Sequence, residues 1–319
     1  MPKILITGAT GQIGSELTLA LRKKYGPENV VALGHHRPPH GELKDSGPYE
    51  QGDATDKEVL ISLVEKHKID TIYHLVGILS AAGEKNPDSA WMVNINSLKN
   101  VLDIAKEYRM EKVFWPSSIA AFGPGSPREN TPQVTVMDPN TVYGITKYTG
   151  ELLCNYYYNK YRVDVRSLRY PGLLSYLTPP GGGTTDYAIE IFYEAIQNKK
   201  YTSFLREDTV LPMMYMPDAI EGTIKLMESP APRIKVRFSY NFTAMSFSPK
   251  QIADEIKKHI PDFTCTFAPD RRQAIADTWP RSIDDTVAQR DWDWEPRYDL
   301  AKMTEDMLIH LTKKLMPKK

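Results

Sequence analysis

Ile4-Leu5-Ile6-Thr7-Gly8-Ala9-Thr10-Gly11-Gln12-Ile13-Gly14 is the stretch that decides the architecture of this chain. An apolar strand runs directly into three glycines, and a helical pattern from Gln12 to Tyr25 follows. Such a turn lets the backbone bend tightly and approach a pyrophosphate. The phosphates then rest on free N–H groups at the positive end of the helix dipole. Glycine spacing alone is weak evidence, but glycines at the first strand-to-helix turn are strong evidence. Gly8, Gly11, Gln12, Ile13 and Gly14 are therefore candidate dinucleotide-binding residues.

Working outward, short β-branched runs alternate with helical patterns up to about residue 175. Strands are expected at Lys3 to Thr7, Asn29 to Leu33, Thr71 to Leu75, Lys112 to Pro116 and Val163 to Tyr170. Helices are expected at Gln12 to Tyr25, Asp56 to His67, Asp88 to Tyr108 and Thr141 to Tyr161, with Asp56 and Asp88 as N-caps. Strands joined by helices of this length imply right-handed βαβ units, hence an α/β fold with a doubly wound parallel (Rossmann) sheet over residues 1–175. After Pro171 the pattern shortens and prolines punctuate it. Residues 176–319 read as a smaller substrate-binding lobe, with the chain crossing back to the first domain around 210–240. In this half a helix is expected from Thr184 to about Gln197, Ser248-Pro249 reads as a helix start, Met213 to Met216 reads as a buried strand, and Lys313 to Lys319 reads as a solvated tail.

The 319 residues carry 40 Lys+Arg and 40 Asp+Glu, and this zero net charge gives no reason to expect nucleic acid or an anionic membrane surface as partner. No apolar run is long enough to span a bilayer, and no charged leader with an apolar region precedes Ile4. Cys154 and Cys265 have neither metal-binding nor redox spacing, which suggests a reducing, cytoplasmic setting. The seven histidines show no ligand spacing, so no metal is expected.

The adenosine end of the expected cofactor site departs from pattern. An acidic residue normally ends the second strand and takes the ribose hydroxyls of NAD. Here the stretch is Ala32-Leu33-Gly34-His35-His36-Arg37, with Gly34 at the acidic position. Arg37 and the histidines suit a 2′-phosphate, which would mean NADP; alternatively Gly34 only removes a side chain, and backbone and water hold the ribose of NAD. Asp53, ahead of the Asp56 cap, is a candidate for the adenine edge or a plain turn residue. Ala54 beside it and the strand-end residues Leu75 and Tyr170 complete the cofactor candidates.

Tyr143-Gly144-Ile145-Thr146-Lys147 puts Tyr143 and Lys147 on one helix face. An ammonium near a phenol favours the phenolate, so Tyr143 is expected to have a lowered pKa and to accept an alcohol proton while hydride leaves the same carbon. Lys147 also reaches toward the nicotinamide ribose. Ser118, just after the Lys112 to Pro116 strand, is placed to hydrogen-bond the reacting oxygen. Any Tyr-x-x-x-Lys is commonly a solvated helix face; the glycine loop and the strand-end serine give this one its catalytic reading.

Gly8 to Gly14, Ser118, Tyr143 and Lys147 together resemble the extended short-chain dehydrogenase/reductase superfamily along the whole chain. That resemblance implies that Asn94 helps hold the active-site helix. Sugar-nucleotide dehydratases of the superfamily carry an Asp-Glu pair where this chain has Ile119-Ala120, so dehydration is disfavoured, whereas 4-epimerases stay open. Five further segments, Trp115 to Gly123, Asn140 to Gly144, Pro179 to Ala188, Leu211 to Asp218 and Trp279 to Asp285, resemble the short-chain-type L-threonine 3-dehydrogenases. The run Gly-Gly-Gly-Thr-Thr-Asp-Tyr-Ala from Gly181 is the most specific of these. The narrower resemblance implies oxidation of the threonine 3-hydroxyl to 2-amino-3-oxobutanoate with NAD+, and a homodimer paired through helices of the first lobe.

The loop chemistry agrees with a small amino-acid substrate. Gly181 to Thr185 leads into a helix, so its free N–H groups and hydroxyls are placed to hold a carboxylate, with Thr184 and Thr185 first. Ser80 adds a hydroxyl near the crevice, and Trp279 is a candidate to close the pocket. Their plain alternatives are an N-cap, a loop residue and a core residue. The competing functions are a nucleotide-sugar 4-epimerase, which keeps its NAD, and a non-catalytic NAD(P)-sensing protein.

Overall fold

The computed structural model describes residues 1–316. The chain forms two compact units built from interleaved stretches. Met1–Ala121, Pro139–Arg169 and Ile220–Tyr240 make the first; Phe122–Asp138, Tyr170–Ala219 and the chain from Asn241 make the second.

Six strands come early in the chain: β1 (Ile4–Thr7), β2 (Val30–Gly34), β3 (Tyr49–Gln51), β4 (Thr71–His74), β5 (Lys112–Ser118) and β6 (Val165–Tyr170). With the later β10 (Tyr240–Asn241) they form one sheet in the order β10-β6-β5-β4-β1-β2-β3. β1 pairs in parallel with both β2 and β4, placing Ile4 beside Val30 and Thr71. Strand order therefore reverses between β1 and β4. In open α/β sheets the crevice beyond the carboxyl ends of the strands at such a switch point is where ligands bind. β1, β2 and β4 are buried along their whole length, as expected of strands covered on both faces. Leu5, Val31, Leu33, Ile72 and Val113 pack with Leu98, Val101 and Leu102 in one apolar core.

The first-unit helices form largely where the residues dictate. Gln12–Tyr25 is helical, and Asp56 caps Lys57–His67 by accepting the N–H groups of Glu58 and Val59. Thr141 caps Val142–Tyr161 through the N–H of Gly144. The region read as one helix from Asp88 differs. Its N-cap is Asn86, whose side chain accepts the Ser89 N–H, and Pro87 takes the first helical position, so Asp88 falls inside the first turn. The helix also widens into a π turn at Met92–Asn96 before resuming as Ser97–Glu107. Side chains intervene there: Ser97 donates to the Val93 carbonyl, and Asn94 is tied outside the helix. Such bulges are often tied to function.

In the second unit β7 (Gly172–Leu174), β9 (Leu211–Tyr215) and β11 (Met245–Phe247) form a three-stranded sheet, β9 running parallel to β7 and antiparallel to β11. β8 (Lys200–Ser203) pairs in parallel with β12 (Thr264–Phe267). β9 is wholly buried, which makes Met213 and Met214 core residues. Ser248 and Gln251 form a reciprocal capping box at the start of Pro249–His259. The helix expected from Thr184 begins at Tyr187. Lys313 and Lys314 belong to the last turn of the Leu300–Leu315 helix, where cations suit the dipole, rather than to a solvated tail; Lys318 and Lys319 lie outside the described residues.

Candidate active site

The glycine loop sits at the carboxyl end of β1, at the switch point. Gly8 has φ +71°, a conformation that side chains rarely adopt, and a Cβ there would lie 3.0 Å from the Leu75 carbonyl carbon. A Cβ on Gly14 would overlap the Gly8 carbonyl oxygen. The Gly11 N–H donates to that same oxygen at 3.0 Å, closing the turn. Helix Gln12–Tyr25 has no side-chain N-cap and no acidic residue in its first turn, so nothing of the chain's own charge competes with an anion there. These residues fit the pyrophosphate of a dinucleotide.

Ser118 ends β5, and Tyr143 and Lys147 come from the first turns of Val142–Tyr161. All three lie in the first unit. Ser118 Oγ accepts the Ala120 N–H at 3.2 Å, and its side chain is close enough to Tyr143 to act on the phenol. Lys147 Nζ donates to the Pro116 carbonyl at 2.6 Å and lies 5.4 Å from the centre of the Tyr143 ring and 4.7 Å from that of Trp115. The lowered phenol expected from the sequence is not what this arrangement produces. Burial pushes Tyr143 up to about 12, against the pull of Ser118. Lys147 is itself buried and pushed down to about 7, with Cys154 and Glu151 opposing the shift. Desolvation prevails because both groups are buried, and burial disfavours the charged form of each.

Residues not singled out from the sequence hold this cluster. Glu151, one helical turn beyond Lys147, is fully buried; it accepts from Ser117 Oγ at 2.6 Å and from Arg169 at 2.9 and 2.7 Å. Its i+4 spacing from Lys147 was the available signal. Asn94 binds both the N–H and the carbonyl of Ile78, and donates to Thr146 Oγ1 at 3.0 Å. His74, at the end of β4, bridges Thr7 Oγ1 at 2.7 Å and Ser97 Oγ at 2.9 Å. Burial, with Lys147 nearby, pushes its pKa down to about 3.

The other cofactor candidates of the first unit lie around the same end of the sheet. Leu75 follows β4 against Gly8, and Ala54 is buried. Asp53 Oδ1 accepts the N–H and the hydroxyl of Thr55, each at 2.8 Å, so the turn role is satisfied; its other oxygen stands 4.0 Å from His35 Nε2. Arg37 is exposed. Ser80 is buried at the start of a four-residue helix.

The second unit holds Tyr170, Thr184, Thr185 and Trp279. Tyr170, Thr184 and Trp279 are buried. Thr184 Oγ1 is buried with no hydrogen-bond partner among the described residues. Thr185 packs against Gly172, where a Cβ would approach its Cγ2 to 2.8 Å. The glycine N–H groups expected to be free are taken. Asp186 Oδ2 accepts those of Gly181, Gly182 and Gly183 at 2.6, 2.7 and 2.9 Å. A carboxylate three to five residues downstream can fold back onto such a nest of donors, and does so here. Among the described residues no cluster of three or more His, Cys, Asp or Glu could hold a metal ion, and no helix is long and apolar enough to cross a membrane.

Residues 4–241 match the model of the NAD-dependent epimerase/dehydratase family. This chain belongs to that family. Among solved structures, an L-threonine dehydrogenase from Clostridium difficile is 53% identical, with a TM-score of 0.96 over 98% of each chain. The GalE-like L-threonine dehydrogenase from Cupriavidus necator, in its holo form, is 54% identical, with a TM-score of 0.95 over 97% of this chain and all of that one. A monomeric L-threonine 3-dehydrogenase from a metagenome is 48% identical, with a TM-score of 0.93 over 98% of this chain and 99% of that one. In this member of the family the glycine loop follows β1, and Ser118, Tyr143 and Lys147 lie together in the first unit.

Proposed function

We propose that this protein is an NAD-dependent L-threonine 3-dehydrogenase that oxidises the substrate's 3-hydroxyl to 2-amino-3-oxobutanoate. The observation that carries the reading is similarity over nearly the whole chain, above 50% identity, to two L-threonine dehydrogenases. The donor and acceptor groups of the first unit support it. Gly8, Gly11, Gln12, Ile13 and Gly14 hold the pyrophosphate of NAD, and Asp53, Ala54 and Leu75 line the remainder of the nucleotide.

When bound, NAD+ supplies the hydride acceptor and a positive charge at the nicotinamide. Tyr143 accepts the substrate hydroxyl proton at Oη. Ser118 hydrogen-bonds the reacting oxygen and the phenol together, lowering the cost of forming phenolate. Lys147, anchored on the Pro116 carbonyl, is the amine next to Tyr143. Thr184 and Thr185 take the substrate carboxylate through their hydroxyls, the neighbouring glycine N–H groups being occupied by Asp186. Ser80 and Trp279 complete the substrate contacts.

Absorbance of reduced nicotinamide with purified protein, L-threonine and NAD+ tests the reading. Growth of the band, lost in Tyr143→Phe with NAD+ binding retained, is the expected result. No growth would remove threonine as substrate, and near-normal turnover in Tyr143→Phe would remove Tyr143 as base.

The protein is further proposed to act as a homodimer in the cytoplasm. Ile145, Leu152 and Tyr156 form an exposed stripe on Val142–Tyr161, at 42, 45 and 46% exposure, and Met92 is 55% exposed. These residues all belong to the first unit. Contiguous apolar exposure of this kind marks interfaces. Light scattering on the wild type and on Leu152→Glu tests it: a dimer that becomes monomeric supports the pairing, and a monomeric wild type, as in the metagenome relative, removes it. The free thiols of Cys154 and Cys265 support the cytoplasmic setting.

A further inference from the structure

The corner where β2 meets the glycine loop has an unusual chemistry. Gly34 is the last residue of β2 and stands twenty positions after Gly14, where NAD enzymes place the carboxylate that binds the ribose 2′-hydroxyl. Its position beside the loop is direct: a Cβ on Gly34 would lie 3.0 Å from Thr10 Cγ2. That same Cβ would overlap the Tyr49 hydroxyl of β3. Tyr49 thus fills the room that an acidic side chain would use, and Gly34 is required by its packing.

The turn that follows carries His35, His36 and Arg37, all exposed. Its backbone is pinned from β3: Gln51 Nε2 donates to the His35 carbonyl at 3.1 Å, and the Tyr49 hydroxyl to the Arg37 carbonyl at 3.5 Å. The two imidazoles lie against each other with centres 3.6 Å apart. The nearby acid is Asp53. One of its oxygens is occupied by Thr55, and the other faces His35. His35, His36 and Arg37 thus follow a strand end that carries Gly34 where an NAD enzyme has its carboxylate, and Asp53, partly engaged by Thr55, stands against His35.

We infer that this corner is a subsite for a phosphate on the adenosine 2′-oxygen, with Arg37 as its cation and the neighbouring His36 as a further hydrogen-bond donor, so that the protein binds NADP+ as well as NAD+. The inference rests on the glycine loop's being the dinucleotide loop of the proposed function. Arg suits the role because its planar fork bonds phosphate oxygens in pairs.

Calorimetric titration with adenosine 2′,5′-bisphosphate and with ADP, without threonine, tests the subsite. The bisphosphate is expected to bind at least as tightly as ADP. Arg37→Ala is expected to weaken the bisphosphate about tenfold or more, the size of a lost charge-assisted contact, with little change for ADP. A bisphosphate that binds more weakly than ADP, or a loss in Arg37→Ala shared equally by both ligands, overturns the inference. If ADP itself fails to bind, the dinucleotide reading falls and the subsite with it. If ADP binds and the bisphosphate is rejected, only the subsite falls, and threonine oxidation with NAD+ is untouched.

Discussion

Ser118 is the neighbour that pulls the Tyr143 phenol down against burial. With Tyr143 at about 12, the proton-accepting form is scarce at neutral pH, so turnover should rise as pH rises from 7 toward 9. Ser118→Ala removes the lowering influence, so the rising limb should move to higher pH and turnover at pH 7.5 should fall by roughly 10²-fold, within the range for a positioned proton-transfer group. Initial rates across pH, at saturating threonine and NAD+, check this. A variant with the wild-type limb would show that Ser118 does not act on the phenol.

Glu151 and Arg169 form a buried ion pair directly behind Lys147, with Arg169 Nη2 2.7 Å from Oε2 and Ser117 held on the same carboxylate. Glu151→Gln keeps the shape but leaves the guanidinium buried without its counter-charge. Breaking one side of such a pair costs about 3–5 kcal/mol. The expected result is a urea midpoint well below wild type, with the unfolding slope unchanged. An unaltered midpoint would show that the pair contributes little.

The parts legible in the sequence are those fixed locally. The glycine loop, the Asp56 and Ser248 caps and the buried β strands follow from residue type and spacing, and the Tyr143–Lys147 pairing follows from helix geometry. The parts not legible depend on contacts distant in sequence. The π turn at Met92–Asn96 depends on Asn94 reaching Ile78 and Thr146, and nothing local predicts it. The raised Tyr143 follows from burial, which the Tyr-x-x-x-Lys spacing does not encode. The placing of Phe122–Asp138 in the second unit is likewise a matter of packing. Asp186 was within reach of sequence reasoning, since an acid just after a glycine run is a natural acceptor for its N–H groups.

His74 gives the fold a calculable acid sensitivity. Its folded pKa is about 3 against an ordinary value of 6.5, so the unfolded chain binds its proton first as pH falls. Stability from this group is complete above 6.5 and is lost as pH falls from there toward 3. The slope is about 1.4 kcal/mol per pH unit, so roughly 2 kcal/mol goes between pH 6.5 and 5. His74→Asn should be less stable at pH 7.5, having lost the bridge between Thr7 and Ser97, but should lose less than wild type on going to pH 5. Urea unfolding of both proteins at the two pH values gives the comparison, and equal acid losses would show that His74 is not the sensor.

Asp186 sets the order of the loop ahead of Tyr187–Gln197. Its Oδ2 collects three N–H groups, from Gly181, Gly182 and Gly183, and glycines lose more conformational freedom on ordering than other residues. Without the carboxylate those donors turn to water and the loop samples many conformations. Asp186→Ala should therefore raise amide hydrogen exchange at 181–183 by about tenfold or more, each charge-assisted bond contributing ~1.5–3 kcal/mol, while the buried helix residues Ile191 and Phe192 keep their protection. Asp186→Asn, which retains one acceptor oxygen without the charge, should fall between the two. Thr184 and Thr185 follow the loop directly, so the same variants should raise the KM for threonine more than they lower turnover at saturation. If exchange at 181–183 is unchanged in Asp186→Ala, the nest does not order the loop, and the position of the two threonines must be set by Gly172 and β9 instead.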